Sequence, residues 1–338
     1  MASKQYGTES IRNVALLSHG GVGKTTLIES MLYTTGSLNR MGSVEEGNTA
    51  SDYRPAEIER KSSIQLSLFY AEHDGKKLNI IDTPGYADFV GEVMSAVRVV
   101  ESGVMLVSAQ SAVEVGTQKS WGYLDKKPCL FLVNKMDREN SDFPKALREL
   151  QEAFGTGVAP IAIPIGHAEN FKGVVDILAG KAYIYEPGGK GVGEEADIRE
   201  NLKEDLGNYR TQLTEAVAES DDSLLEKYFE VGELSEADLI SGLNKAVAAG
   251  KLFPVIPISA VHNIGTDVVL SAMGNLLPSP ASIDKVEGMS APDLEEPDVS
   301  FDADSSAPTS ALVFKLGSEE HVGKLTFFRV YSGNVENG

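Results

Sequence analysis

Residues 16–32 read LLSHGGVGKTTLIESML. An apolar stretch, 14–17, stops abruptly. Gly20, Gly21 and Gly23 follow, then Lys24, Thr25, Thr26 and a helical pattern. A glycine-rich turn between a buried strand and a helix lets consecutive N–H groups point at one anion, and the positive end of the helix adds to the attraction. The stretch reads as a phosphate-binding loop, with His19, Gly20, Gly21, Val22, Gly23, Lys24, Thr25 and Thr26 around the ligand. Lys24 is expected to reach the β- and γ-phosphates, and the Thr25 hydroxyl to ligate Mg²⁺. Ser18 stands where the usual motif opens with glycine. A glycine-rich turn without a ligand is the alternative, but the strand-to-helix setting is the one the motif requires.

Outward from this loop, residues 13–17 read as a first buried strand and 24–34 as the helix after it. Two β-like runs, 64–70 and 78–81, flank Asp74-Gly75, a hairpin signal, and are expected to pair antiparallel. Residues 104–108 and 130–133 are short continuous apolar runs, the pattern of parallel strands covered on both faces. Helical patterns at 87–101 and 116–124 separate them. The alternation implies a doubly wound α/β sheet with one antiparallel strand. Beyond Phe154 the pattern changes: strand-like alternation, then acidic helix-rich sequence over 197–229, then an apolar run at 253–258 in the earlier style. Residues 158–252 therefore read as an insertion between two sheet strands. The Pro-, Ser- and acid-rich stretch 281–307 reads as a linker, and 308–338 as the start of a further β unit.

The 338 residues carry a net charge of −20, unevenly spread: 17 Lys+Arg against 19 Asp+Glu in residues 1–150, and 13 against 31 beyond. The acidic part does not favour free nucleic acid, whose binding relies on cationic side chains; a protein surface with basic patches suits it better. Cys129 is the only cysteine, which excludes an internal disulfide and, with no Cys/His cluster, a zinc site. Cys129 and Trp121 read as core. No run spans a membrane and no apolar leader opens the chain, so a cytoplasmic setting is expected.

Three more motifs sit at expected strand ends. In IIDTPGYADF, Asp82 is placed beside the metal and Gly85 brings its N–H toward a γ-phosphate. In FLVNKMD, Asp137 can accept from the two adjacent donors of guanine, a pair that adenine lacks; Asn134 braces the loop and the Lys135 stem covers the ring. In IPISAVHN, Ser259 precedes Ala260, whose N–H is suited to guanine O6.

These four motifs, in this order, resemble the translational GTPases, and most closely the bacterial elongation factor G family. DTPGYADFVGEV is similar to that family's run after the metal-binding aspartate. The long interval from Asp137 to Ser259 matches its extra subdomain, and LLPSPASI and VGKLTFFRVYSGNV look like its domain boundary and barrel opening. The resemblance implies an α/β P-loop GTPase domain in residues 1–157 and 253–280, an α+β subdomain at 158–252, an acidic linker at 281–307 and an incomplete β-barrel from 308. It implies GTP/GDP and Mg²⁺ as ligands, and Thr25, Ser63 and Asp82 as the metal-binding set. Lys24, Gly85 and Tyr86 then fall at the reaction centre. The implied partner is the ribosome, through its rRNA factor-binding site and stalk proteins, with no free DNA, no membrane and a monomeric state. Three departures mark divergence from that family. Gly21 replaces its loop acid, Ser63 replaces its switch threonine, and Tyr86 stands in place of its catalytic histidine. Tyr86 keeps one rival reading open, a GTP-dependent ribosome-binding module without useful turnover, and a ribosome-protection GTPase shares the same motifs. The final stretch supplies about two strands where a barrel needs several, so the chain is expected to be a fragment of a longer protein, with Phe314, Leu325, Phe327 and Val330 on open edges.

Overall fold

The strand that ends at the glycine turn lies mid-sheet, and this is why its apolar run is continuous. In the computed structural model, which describes residues 4–283, 285–291, 293, 295–319 and 323–335, β1 (Ile11–Ser18) buries Val14, Ala15, Leu16 and Leu17 completely. α1 (Lys24–Thr34) follows it, and α2 (Pro55–Arg60) begins with proline in its first turn, where a missing N–H costs nothing. β2 (Ser67–His73) and β3 (Lys76–Asp82) form the expected hairpin around Asp74-Gly75. Then come α3 (Val90–Arg98), β4 (Ser102–Ser108), α4 (Val115–Leu124), β5 (Cys129–Asn134), α5 (Phe143–Phe154) and β6 (Val158–Pro160). β4 and β5 are buried at every residue, as continuous apolar runs in a parallel sheet must be.

The next segment is a second unit. β7 (Ala162–Ile165), β8 (Gly173–Asp176), β9 (Lys181–Ile184) and β10 (Glu194–Ala196) form an antiparallel sheet in the order β10-β9-β8-β7. Three helices accompany it: α6 (Glu200–Glu219), α7 (Asp222–Val231) and α8 (Glu236–Ala248). β11 (Phe253–Pro257) and α9 (Thr266–Leu276) then return to the first sheet. That sheet has seven strands in the order β2-β3-β1-β4-β5-β11-β6, with only β2 antiparallel to its neighbour. It is the P-loop GTPase arrangement, and Trp121, Phe131, Phe154 and Phe253 stack into one aromatic cluster within it. Cys129 is fully buried, and burial pushes its thiol far up from its ordinary range.

Several expectations need correction. The strand expected from residue 64 starts at Ser67, because the N–H groups of Ile64 and Gln65 are taken by the Glu57 carboxylate and that of Leu66 by Glu92. The helix expected over 87–101 is a short 3₁₀ turn, Ala87–Phe89, followed by α3. The inserted segment, expected from 158, starts inside the main sheet: β6 pairs in parallel with β11, and the chain passes through Ile161 straight into β7. The stretch 281–307, expected as a linker, contains β12 (Val286–Gly288) paired antiparallel with β13 (Val299–Phe301).

β14 (Ser310–Glu319) and β15 (Gly323–Ser332) are antiparallel. They do not hang free. Leu312 and Phe314 pack against the core, and Leu325 and Phe327 are half-buried. The Lys315 ammonium donates to the Leu66 carbonyl and faces Glu92. Arg329 pairs with the buried Glu101 at 2.5 Å. Val313, Leu316, Phe328 and Val330 remain exposed on the other face.

Candidate functional site

Parallel register aligns the strand ends, and with them the motifs. Leu16 is opposite Asp82, Ser18 opposite Leu106, Ser108 opposite Asn134, and Val133 opposite Pro257. The loops after β1, β3, β5 and β11 therefore meet at one edge of the sheet, where open α/β sheets bind ligands. They surround a cavity of about 650 Å³.

At one end is the glycine turn. Gly21 and Gly23 have φ of 74° and 109°, which glycine adopts without strain. A Cβ on Gly23 would lie 2.6 Å from the Asn134 amide nitrogen, so the missing side chain is what lets Asn134 approach the loop. The Lys24 ammonium donates to Ser18 Oγ at 2.7 Å, and burial lowers its pKa to about 8, against the opposing pull of Asp82 and Asp52. Thr25 Oγ1 donates to Asp82 Oδ2 at 3.0 Å and lies 3.2 Å from Ser63 Oγ. Ser51 Oγ donates to the same Asp82 oxygen at 2.7 Å. Burial raises the Asp82 carboxyl, with Lys24, Ser51 and Thr25 acting in the opposite sense. Burial also raises Asp52 to about 6.

Across the cavity mouth, Gly85 approaches the glycine turn so closely that a Cβ would lie 2.7 Å from Gly20 Cα and 2.8 Å from Lys24 Nζ. Tyr86 lays its ring over Gly20 and is 48% exposed.

At the other end, Asn134 ties the motifs together. Its Nδ2 donates to the Val22 carbonyl at 2.8 Å and its Oδ1 accepts from the Ala260 N–H at 3.0 Å. Lys135, with φ of 65°, donates to the Gly21 carbonyl at 2.8 Å. Asp137 accepts from Ser259 Oγ at 2.6 Å, with Arg138 and His262 beside its second oxygen.

Most of the expected residues line the cavity: Gly20, Gly21, Gly23, Thr25 and Thr26 of the turn; Lys24, Ser63, Gly85 and Tyr86; and Asn134, Lys135, Asp137 and Ala260. Asp82 and Ser259 are buried and reach it through Thr25 and Asp137. His19 and Val22 do not line it. His19 faces the start of α4, with Nε2 3.8 Å from Glu114, and Val22 is buried. The Ala260 N–H, expected to face a base, is bonded to Asn134.

The sequence reading passed over four contributors. Ser51 and Asp52 join the Asp82 cluster. Glu29, buried within α1, accepts the N–H groups of Gly42 and Ala50, both at 2.6 Å. Glu57 holds Ile64 and Gln65. Only Glu29 left a signal: a carboxylate among Leu27, Ile28, Met31 and Leu32, where an apolar residue is expected.

The donor set fits a small hard cation. Asp82 Oδ1 and Asp52 Oδ1 are buried without a hydrogen-bond partner, a costly state that a cation relieves. Among the described residues no group of three or more His, Cys, Asp or Glu could hold a metal by itself. A carboxylate with two hydroxyls instead suits Mg²⁺, which takes few protein ligands and completes its shell with phosphate and water.

The family model of the elongation factor Tu GTP-binding domain matches residues 9–279. A crystal structure of a protein from Thermus thermophilus is 32% identical, with a TM-score of 0.84, over 97% of this chain and 46% of that one. The chain thus spans less than half the length of that protein. With the matched region running from the strand before the glycine turn to the helix after the fourth motif, the chain belongs to the elongation factor Tu GTP-binding domain family.

Proposed function

We propose that this chain is the GTP-binding and GTP-hydrolysing portion of an elongation factor G-like translation factor, acting with Mg²⁺ on the ribosome. The observation that carries the reading is the approach of Ser63 and Asp82 to within 3.2 Å of Thr25 at one end of a cavity whose other end presents Asp137. The Lys24 ammonium and the N–H groups of the glycine turn hold the phosphates. Thr25, Ser63 and Asp82 would hold Mg²⁺, which would supply positive charge beside the phosphates. Asp137 selects guanine, and the Ala260 N–H, released from Asn134, faces the base edge. Tyr86 orients the attacking water by its hydroxyl, and the Gly85 N–H stabilises the transferring group. In a cell this chemistry belongs to the cytoplasm.

Calorimetry with Mg²⁺ tests the reading. GTP and GDP should bind about a thousandfold or more tightly than ATP, because guanine offers Asp137 two adjacent donors and adenine offers it none. Asp137→Asn should move the preference toward xanthine nucleotides. Equal affinities for ATP and GTP would remove the basis of the proposal.

A second reading, a GTP-dependent ribosome-binding module without useful turnover, is favoured by Tyr86 itself. A phenol bonds water but does not become a cation near neutral pH, as an imidazole does. Single-turnover GTP hydrolysis with ribosomes separates the two readings: the first expects acceleration over the free chain, the second none.

A further inference from the structure

We propose that the glycine-rich loop of residues 187–193, carried by the segment between β6 and β11, is the outer wall of the cavity on its base-recognition side, and that Lys190, seated on Tyr33, is the latch that sets how long a guanine nucleotide stays bound. The inference rests on the guanine-nucleotide reading above.

The loop belongs to the second unit by sequence and to the cavity by position. Gly188 lines it together with Tyr33, Lys135 and Ala260. The loop is anchored to the turn that carries Ala260. Asn263, 1% exposed with φ of 55°, donates its N–H to the Ala260 carbonyl and its side-chain amide to the Gly189 carbonyl at 3.3 Å. The Oδ1 of the same Asn263 accepts from Thr34 Oγ1 at 3.2 Å, at the far end of the helix that Lys24 begins. One buried side chain thus joins the base turn, the phosphate helix and the loop. Gly191 makes this possible: its φ is 69°, and a Cβ there would lie 2.4 Å from the Asn263 amide. On the loop's far side Asp267 accepts from the Gly193 N–H at 2.8 Å and from the Tyr185 hydroxyl at 2.6 Å.

Between these anchors Lys190 is exposed, and its ammonium sits 3.9 Å from the centroid of the Tyr33 ring. An exposed cation on a ring holds its element in place by a factor of about two to five. The loop is therefore pinned at both ends and latched lightly at its tip, against a ring that itself lines the cavity. A wall built this way slows departure of the ligand and leaves its chemistry alone. Thr34, Tyr33, Asn263 and Asp267 all lie outside the segments near Ser63 and Gly85, so GDP and GTP should be retained alike.

Stopped-flow release of fluorescent mant-GDP and mant-GTP from the full 338-residue chain tests this. Lys190→Ala should speed dissociation of both by the same factor, about two- to fivefold. Gly191→Ala, which displaces Asn263, should speed it more, by about tenfold. As an independent measurement, GDP should slow amide exchange at residues 188–193 of the wild type. If the wild type binds GDP, but Lys190→Ala releases it at the wild-type rate and exchange at 188–193 is unmoved, the latch is overturned while the GTPase reading stands. If the wild type binds no guanine nucleotide, that reading falls and takes the latch with it.

Discussion

Lys24 shows what a desolvated cation costs the fold. Its ammonium is buried and its pKa is lowered to about 8, first by loss of solvent. A depressed pKa means that the folded state favours the neutral amine. The stabilisation is fully present above the unfolded value of 10.5 and is lost as pH falls through about 8. In nucleotide-free protein, the stability of Lys24→Met relative to wild type should therefore fall by about 3 kcal/mol as pH rises from 8 to 10.5. Urea unfolding at both pH values measures it, and a pH-independent difference would mean that the ammonium is not desolvated. The same substitution should abolish tight GTP binding, since phosphate charge then goes uncompensated. Tyr86 has the opposite character, half-exposed with its ring on Gly20. If its hydroxyl orients water, Tyr86→Phe should lower ribosome-stimulated hydrolysis by about ten- to a hundredfold with GTP affinity unchanged. A rate equal to wild type would leave the ring with a packing role alone.

Among the elements, the strand ends carry the site, and they were the most legible part of the sequence. Lys24, Asp82, Asn134 and Asp137 each stand next to a glycine or polar turn at the end of an apolar run, and the proposed chemistry of phosphate or base calls for that residue type there. Contacts between distant segments were not legible. Asn134 links Val22 to Ala260, Glu29 fixes Gly42 and Ala50, and Asn263 joins three elements, yet no local spacing announces such links. The boundary at 158 was missed because apolar alternation runs unbroken from β6 into β7, so the change of sheet leaves no mark in the pattern. His19 was grouped with the ligand by adjacency alone, whereas the backbone turns it toward α4. The approach of two turns also predicts a sensitive position. A Cβ at Gly85 meets Gly20 Cα at 2.7 Å, and backbone on both sides leaves neither free to yield. Gly85→Ala should displace the Gly85 turn from the glycine turn and weaken GTP about tenfold or more, while GDP, lacking the phosphate near Gly85, loses less. Calorimetry with both nucleotides reads the difference, and equal losses would place the strain elsewhere.

Over the whole molecule, the question is what holds the terminal hairpin to the GTPase sheet. Two cations do so from opposite strands. Lys315 of β14 reaches Leu66 and Glu92, and Arg329 of β15 reaches Glu101 and the Val99 carbonyl. Glu101 is 5% exposed, and its other oxygen accepts from Asn13 at 2.9 Å. It is buried for the sake of the pair, since a lone carboxylate at that depth is costly. Arg329→Met keeps the aliphatic stem and removes the charge, leaving Glu101 with the Asn13 amide and the fields of Arg12 and Lys127, neither of which forms an ion pair with it. The loss should be about 3 kcal/mol, the usual cost of removing one partner of a buried pair. Adding Glu101→Gln should recover much of it, because the stranded charge goes and a neutral amide can still accept from Asn13. Urea unfolding gives both numbers, and protease cleavage between β14 and β15 shows whether the hairpin detaches before the sheet opens. If Arg329→Met costs less than about half a kcal/mol, or if Glu101→Gln makes the loss larger, the pair behaves as a surface contact. The hairpin would then be held by Leu312 and Phe314 packed against the core and by Lys315 at Leu66, with Arg329 adding only direction.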